Sequence, residues 1–424
     1  MLYWQKLYQK PESEKAPMDY STLTQEIKLP SSLKEVDPHS ISAAFEQVTD
    51  GRHKRGIRYS VALMLTLTML AKLAGETTLA GICQWVRLRG DWLNEHLHLQ
   101  RTSWPALSTY SYVLQRLDPQ ELTTVIEQCL TRAETSRRCG TEPSRLLSQA
   151  GRQQKAHVAM DGKTMRGTLR HDSPEQPSVH LLSLYEVSSG TVLAQRAVET
   201  KENEISAAAE LLTPTLIKGR ICTADAMHTQ KKMCLLFTLN DGDYLLIAKD
   251  NQPTLHADLQ LFFEDPQADR SGWQSATTCH KGHGRIETRI LTTSTDMHDY
   301  FAREWPGIAQ VFRLERIVRE KGQCRTTVVY GLTSLSPKQA GPARLLALIR
   351  AHWAIENRLH WRRDVTLNED HSQLRTGCAP QILSILNNTL LALMDFIHVP
   401  NVPAQMRFYQ ARPCQALRLL LLKL

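Results

Sequence analysis

Apolar positions in the first third of the chain recur at helical spacing. Tyr59 to Gly75 (YSVALMLTLTMLAKLAG) is apolar around its whole circumference, too short to span a bilayer and interrupted by Lys72, so it predicts a buried helix. Thr77 opens TTLAGICQWVRLRGDWL, Ser108 caps TYSYVLQRLD and Pro119 starts PQELTTVIEQCLTRAE, each with helical periodicity. Short helices joined by tight turns predict a compact all-α domain over residues 36–135, after a polar arm over 1–35. Tyr110, Tyr112, Gln115 and Arg116 make the Ser108 helix a candidate for reaching a nucleic-acid groove.

The pattern changes after residues 136–156, a basic stretch punctuated by Gly and Pro that reads as a linker. HVAMDG predicts a strand ending in a turn at Gly162, and VHLLSLYEV and TVLAQRAVE on either side of Gly190 predict a hairpin. RICTADA and DYLLIAKD predict two more strands, with EISAAAELLTPTL and TQKKMCLLFTLN as intervening helices. That order is the order of a mixed α/β sheet. Over residues 251–334 the alternation is that of strands, GRIETRILTTS, QVFRLERIVRE and RTTVVYGLTSL, which predicts a β insertion interrupting an α/β core made of 157–250 and 335–398. The tail, 399–424, ends in a Leu-rich helix expected to dock on the core.

Composition narrows the class. The 424 residues are 42% hydrophobic and 22% charged, as in ordinary globular proteins, and the 51 Lys and Arg against 43 Asp and Glu leave a net charge of +8. A basic balance favours a polyanionic partner, with nucleic acid first, and Arg52 to Arg58 concentrates four of the cations in one loop. Nine cysteines without a CxxC pair argue against a disulfide framework or a zinc ribbon, and the N-terminus has no apolar stretch behind a basic start. The expectation is a cytoplasmic protein, with no membrane partner.

Candidate chemistry centres on Arg350 to Arg375. At helical pitch His352, Glu356, His360 and Arg363 share one quadrant, while Trp353, Trp361, Ile355, Leu359 and Val365 supply apolar surface around the rest. Two aspartates stand at predicted strand ends, Asp161 in VAMDGKTMRG and Asp225 in ICTADAMHTQ. With Glu356 they make a carboxylate triad from two strands and a helix. Three converging carboxylates repel one another unless a divalent cation neutralises them, and oxygen-only ligands suit Mg²⁺ or Mn²⁺. Two such ions, about 4 Å apart, activate the attacking oxygen and stabilise the leaving one in a phosphodiester displacement.

These stretches, with YLLIAKDNQ at Tyr244, GHGRIETR at Gly282, and HWAIENRLHW followed by DVTLNEDHSQLR, resemble the bacterial insertion-sequence DDE transposases, specifically the H-repeat-associated proteins. The resemblance runs over nearly the whole chain. It implies a ribonuclease-H-like catalytic core with a β insertion between the second Asp and the Glu, preceded by an all-α domain. It also implies Asp161, Asp225 and Glu356 as the catalytic and metal-binding triad of a bacterial, nucleoid-associated enzyme. That enzyme cleaves element ends and transfers the 3′-OH into target DNA, working as a homodimer or higher assembly when two terminal inverted repeats are paired. Lys163, His228, Gln230, Lys249, Asn251, Gln252, His352, Asn357, His360, Arg363 and Asp370 fall in the matching blocks as candidates for DNA contact or for supporting the metal ligands. His283, Arg285 and Arg289 alternate with Glu287 on one strand face, which suits either a phosphate grip or a cross-strand ion-pair ladder. Where related transposases carry a Tyr, an Arg and a Lys around the Glu, this chain has Ile349, His352 and Arg363, and Cys378 and Asn387 also depart from expectation. Two other readings compete: a domesticated relative that binds DNA without cutting, and a zinc site on His352, Glu356 and His360, for which only adjacent pairs can chelate one ion.

Overall fold

The computed structural model describes residues 37, 39–55, 57–140, 155–169, 178–198, 204–282 and 284–421, with side chains of 134–140 excepted. The predicted 1–35 arm and most of the 136–156 linker lie outside the described residues. The described chain forms two compact units: a helix-rich unit from 37 to 216 and 353 to 421, and a meander unit over Ile217–His352.

In the helix-rich unit, helices Ile41–Glu46, Val61–Leu73, Leu79–Leu88, Gly90–His96, Leu107–Leu114 and Pro119–Gly140 follow in sequence. Ser60 and Thr78 supply side-chain caps, each accepting from the backbone N–H three residues on, whereas Ser108 lies inside its helix and Ala106 occupies the cap without a side-chain bond. The stretch expected as one helix after Thr77 breaks at Arg89. Gly90 starts a new helix where a Cβ would lie 2.5 Å from Trp104 Nε1, so close packing against that indole selects glycine. The Pro119 helix runs to Gly140, past the expected end at Glu134, because TSRRC contains no breaker.

Three antiparallel strands complete this unit's sheet, β1 (Ala156–Thr164), β2 (His180–Glu186) and β3 (Thr191–Val198), in the order β3-β2-β1. The expected turn at Gly162 is absent: β1 continues to Thr164, with Gly162 paired to Leu182. A Cβ there would fall 2.5 Å from His180 Nε2 and 2.7 Å from Glu204 Oε1, so the glycine admits a buried imidazole–carboxylate pair, 3.1 Å apart. One hydrophobic core joins the N-terminal helices to Tyr185 and Val192 of the hairpin, to helix Ala379–Phe396 and to the terminal helices Val402–Ala411 and Pro413–Leu421.

The meander unit holds a six-stranded mixed sheet. β4 (Arg220–Ala224) and β5 (Asp243–Ala248) are parallel, as expected of strands joined through helix Lys231–Leu239. Beyond a helix the sequence reading missed, Pro253–Glu264, come β6 (Gln274–Gly282), β7 (Arg285–Ser294), β8 (Gln310–Glu320) and β9 (Gln323–Thr333), paired as an antiparallel meander. β9 pairs with β5, Leu245 opposite Thr333, so these strands extend the α/β sheet rather than stand apart from it. Helix Pro342–His352 covers the sheet through Leu345, Leu346 and Ile349, which pack with Ile221, Leu291 and Phe312. Among the described residues, no helix is long and apolar enough to cross a membrane.

Candidate active site

Alternation along β1 puts Asp161 and Lys163 on one face. Asp161 is partly exposed, and its Oδ2 lies 3.5 Å from Nε2 of the buried His360. Lys163 is buried. Its ammonium sits 2.5 Å from Asp364 Oδ1 and 3.4 Å from Asp370 Oδ1, and Asp370 also accepts the Arg166 backbone N–H at 3.2 Å. Burial pushes the Asp364 carboxyl up despite Lys163 beside it. So enclosed, Lys163 is a strut between β1 and the segment after Glu356 rather than a DNA contact.

That segment is not α-helical. From Ile355 to His360 and from Arg362 to Thr366 the backbone takes π-helical pitch, with the Trp361 N–H donating to Glu356 O and the Leu367 N–H to Arg362 O, each five residues back. The wider turn breaks the expected quadrant. Ile355, Leu359, His360 and Arg363 point inward, while Glu356 and Asn357 are exposed. Trp361 and Val365, expected to be covered, are 43% and 55% exposed.

Arg363 is fully buried, and its guanidinium donates through Nε at 2.9 and 3.0 Å, and through Nη2, to Glu369. Asn387 Nδ2 donates to Glu369 Oε2 at 2.6 Å. Burial pushes Glu369 up, but Arg363 and Asn387 together outweigh it and hold the carboxyl below its ordinary range. Arg363 thus leaves the DNA-contact candidates, and Asn387 has a defined task in this chain. Glu369, which completes the cluster, was not singled out from the sequence; NED three residues beyond a buried helix turn carries no burial signal of its own.

In the meander unit Asp225 follows β4 as the cap of a single 3₁₀ turn, Ala226–His228, its Oδ1 accepting the Ala226 N–H at 2.7 Å. Lys249 at the end of β5 places Nζ 3.9 Å from Asp225 Oδ1; burial lowers its pKa, and Asp225 and Asp250 oppose that shift. Asn251 Nδ2 donates to Ala226 O at 2.6 Å, Gln230 Nε2 to Met227 O at 3.2 Å, and Gln252 Nε2 to Gln230 Oε1 at 3.2 Å. These three amides brace the Asp225 turn. His228 is fully buried beneath it, out of reach of DNA. His352 Nδ1 lies 2.9 Å from Thr223 Oγ1, and burial lowers its pKa to about 4, so the imidazole is neutral at pH 7.

On β7, Arg289 is 6% exposed and pairs with Glu287 at 2.7 Å, and Arg316 from β8 donates to the same carboxylate, so the ion-pair ladder prevails over the phosphate grip for Arg289. Arg285 stays at the strand's accessible end, and His283 lies outside the described residues. Within neither unit, among the described residues, does a group of three or more His, Cys, Asp and Glu side chains stand ready to hold a metal ion. That leaves the zinc reading without a ligand cluster among the described residues.

The family profile described as "Transposase DDE domain" matches residues 152–393, and that described as "DDE_Tnp_1-associated" matches residues 42–130. The chain belongs to the DDE transposase family. Among the transposase relatives, "Putative transposase YncI" of Escherichia coli O157:H7 is 33% identical over 244 residues, 56% of this chain and 61% of its own. "H repeat-associated putative transposase YhhI" of Escherichia coli K12 is 32% identical over 244 residues, 56% of this chain and 63% of its own. The chain thus spans about three-fifths of these curated relatives' length. A protein of Xanthobacter autotrophicus, "Uncharacterized protein in dhlA 3'region", is 30% identical over 66% of this chain and 89% of its own. A piggyBac transposase in a synaptic complex with hairpin DNA aligns with a TM-score of 0.40 at 10% identity, covering 88% of this transposase chain and 76% of the other, a likeness too slight to equate the folds.

Proposed function

We propose that this chain is a DNA transposase that hydrolyses a strand at each element end and uses the freed 3′-OH to attack target DNA. In this reading Asp161, Asp225 and Glu356, the triad that the family resemblance implies, are the metal ligands of a ribonuclease-H-like core. The observation that carries it is the placing of Asp161 and Asp225. Each is an accessible carboxylate on or at the end of a core strand; Asp225 is oriented by the Ala226 amide, and Asp161 has the His360 ring 3.5 Å away. Orientation of this kind is what metal ligands need from their surroundings.

The donor set fits a hard divalent cation. All three groups are carboxylates, Glu356 is exposed, and nearby Lys163 is committed to Asp364 and Asp370 and so does not compete as a counter-ion. Two Mg²⁺ or Mn²⁺ ions, when bound, supply activation of the attacking oxygen and stabilisation of the leaving one. The chain's own contribution is positional. His360 stands beside the Asp161 carboxylate, the amides of Gln230, Asn251 and Gln252 hold the Asp225 turn, and Asn357 is exposed next to Glu356.

Asp161→Asn, Asp225→Asn and Glu356→Gln are each expected to abolish Mg²⁺-dependent cleavage of element-end DNA while leaving DNA affinity in EDTA within about twofold, since charge neutralisation removes metal and not the phosphate contacts. Cleavage that survives any one of the three removes that residue from the triad. A wild-type chain that binds the ends and never cuts them with either metal would be a domesticated binder.

A further inference from the structure

The turns of the β6–β7 and β8–β9 hairpins lie side by side, Arg285 opposite Glu320 in the register, and enclose a hollow of about 440 Å³. Cys279, His280 and Lys281 are all exposed, as is every residue from Lys321 to Thr326. Successive strand residues point to opposite faces, so this end of the sheet meets solvent on both faces. An antiparallel sheet ordinarily keeps one face on a core. Four cations line the hollow, Lys281, Arg285, Arg319 and Lys321, against one carboxylate, Glu320, and Arg325 is exposed close by. The buried ladder of Glu287 with Arg289 and Arg316 lies further down the strands.

A solvated pair of basic turns is the plainer reading. Three features weigh against it: the cations converge on one concavity despite their mutual repulsion, the strands that carry them stand clear of the core, and the charge of the unit is polarised. At the other end of β6 and β7, roughly 30 Å away at about 3.3 Å per residue, a hollow of about 700 Å³ is lined by Asp258, Asp265, Asp269 and Asp296. A polyanion is thereby directed to one end of the sheet and repelled from the other.

We propose that the paired hairpin tips grip the phosphate backbone of duplex DNA without reading its sequence, through Lys281, Arg285, Arg319 and Lys321. Point charges and guanidinium forks on a protruding ribbon suit phosphates rather than base edges. The choice of DNA as the polyanion rests on the transposase reading above; the grip itself does not depend on the metal triad.

The test measures binding of the full chain to duplex DNA by fluorescence anisotropy, in EDTA, across a salt series. The variant carries Lys281→Gln, Arg285→Gln, Arg319→Gln and Lys321→Asn, the asparagine chosen because residue 321 has φ +48°. Expected are a fall of more than about tenfold in affinity at low salt and a log–log salt slope shallower by about 2 to 4, at about 0.9 for each phosphate no longer neutralised, equally for end-containing and scrambled duplexes. The control, Arg303→Gln with Lys338→Gln, lowers the charge of the same unit at exposed positions elsewhere. An unchanged slope overturns the proposal, as does an equal weakening per charge in the control or a weakening confined to one sequence. Alkylation of Cys324, which lines the hollow, should slow when DNA is added, and an unchanged rate counts against the grip. Failure of the triad would show only in the cleavage assay, so the two readings fail separately.

Discussion

Lys72 sits fully buried on helix Val61–Leu73, where burial lowers its pKa to about 8 and Glu369 opposes the shift. A lysine that binds its proton less tightly when folded is a cost below the folded pKa, and the cost fades as pH rises toward the unfolded value. Stability conferred at this site should therefore rise between about pH 8 and 10.5. Lys72→Met is expected to unfold at higher denaturant than the wild type at pH 7, by more than about 1 kcal/mol, with the difference shrinking toward pH 10.5; equal midpoints at both pH values would show that the ammonium carries no such cost. Arg363→Met acts in the opposite sense, because it leaves Glu369 charged in the core with fewer partners. It should cost about 3–5 kcal/mol in urea unfolding. His360→Ala removes the group beside Asp161 and is expected to raise the Mg²⁺ concentration needed for half-maximal cleavage by about 10- to 100-fold, with His360→Gln recovering part of it.

At the scale of elements, alternation and capping residues made β2 to β5, β7 to β9 and the Pro119 helix legible, because half-buried strands and helix starts leave local signals. Three features were not. Strand β6 buries none of its residues and so shows no alternation, helix Pro253–Glu264 was submerged in a stretch dominated by strand signals, and the π pitch after Ala354 cannot be told from α pitch by composition. The pitch matters most. It sends Arg363 into the core and leaves Glu356 on the surface, where α pitch predicted a shared face. The misjudged turn at Gly162 has a similar origin, since glycine serves both turns and close approaches. Gly162→Ala should destabilise the helix-rich unit by about 1–3 kcal/mol through the clash with His180 and Glu204, read as a lower melting temperature; a neutral alanine would mean that the pair moves aside at little cost.

For the molecule as a whole, the two terminal helices belong to the same core as the N-terminal helices: Leu417 and Leu420 are fully buried, and Trp85 Nε1 donates to Gln410 at 3.1 Å. A buried leucine contributes about 1.5–3 kcal/mol, and a native protein holds only about 5–15 kcal/mol in total. Deleting residues 402–424 should therefore remove cooperative unfolding of the helix-rich unit, seen as vanished near-ultraviolet dichroism with helical signal retained. The sequence by itself determined the family, the order of most elements, and Asp161, Asp225 and Glu356 as the groups worth testing, because chemistry-bearing residues in ordered blocks are local information. Tertiary structure decided which polar neighbours serve those groups. Whether Lys163 and Arg363 meet DNA or a carboxylate of the fold depends on a partner 207 residues away for the one and on the pitch of a single segment for the other, and neither is written in the residues themselves.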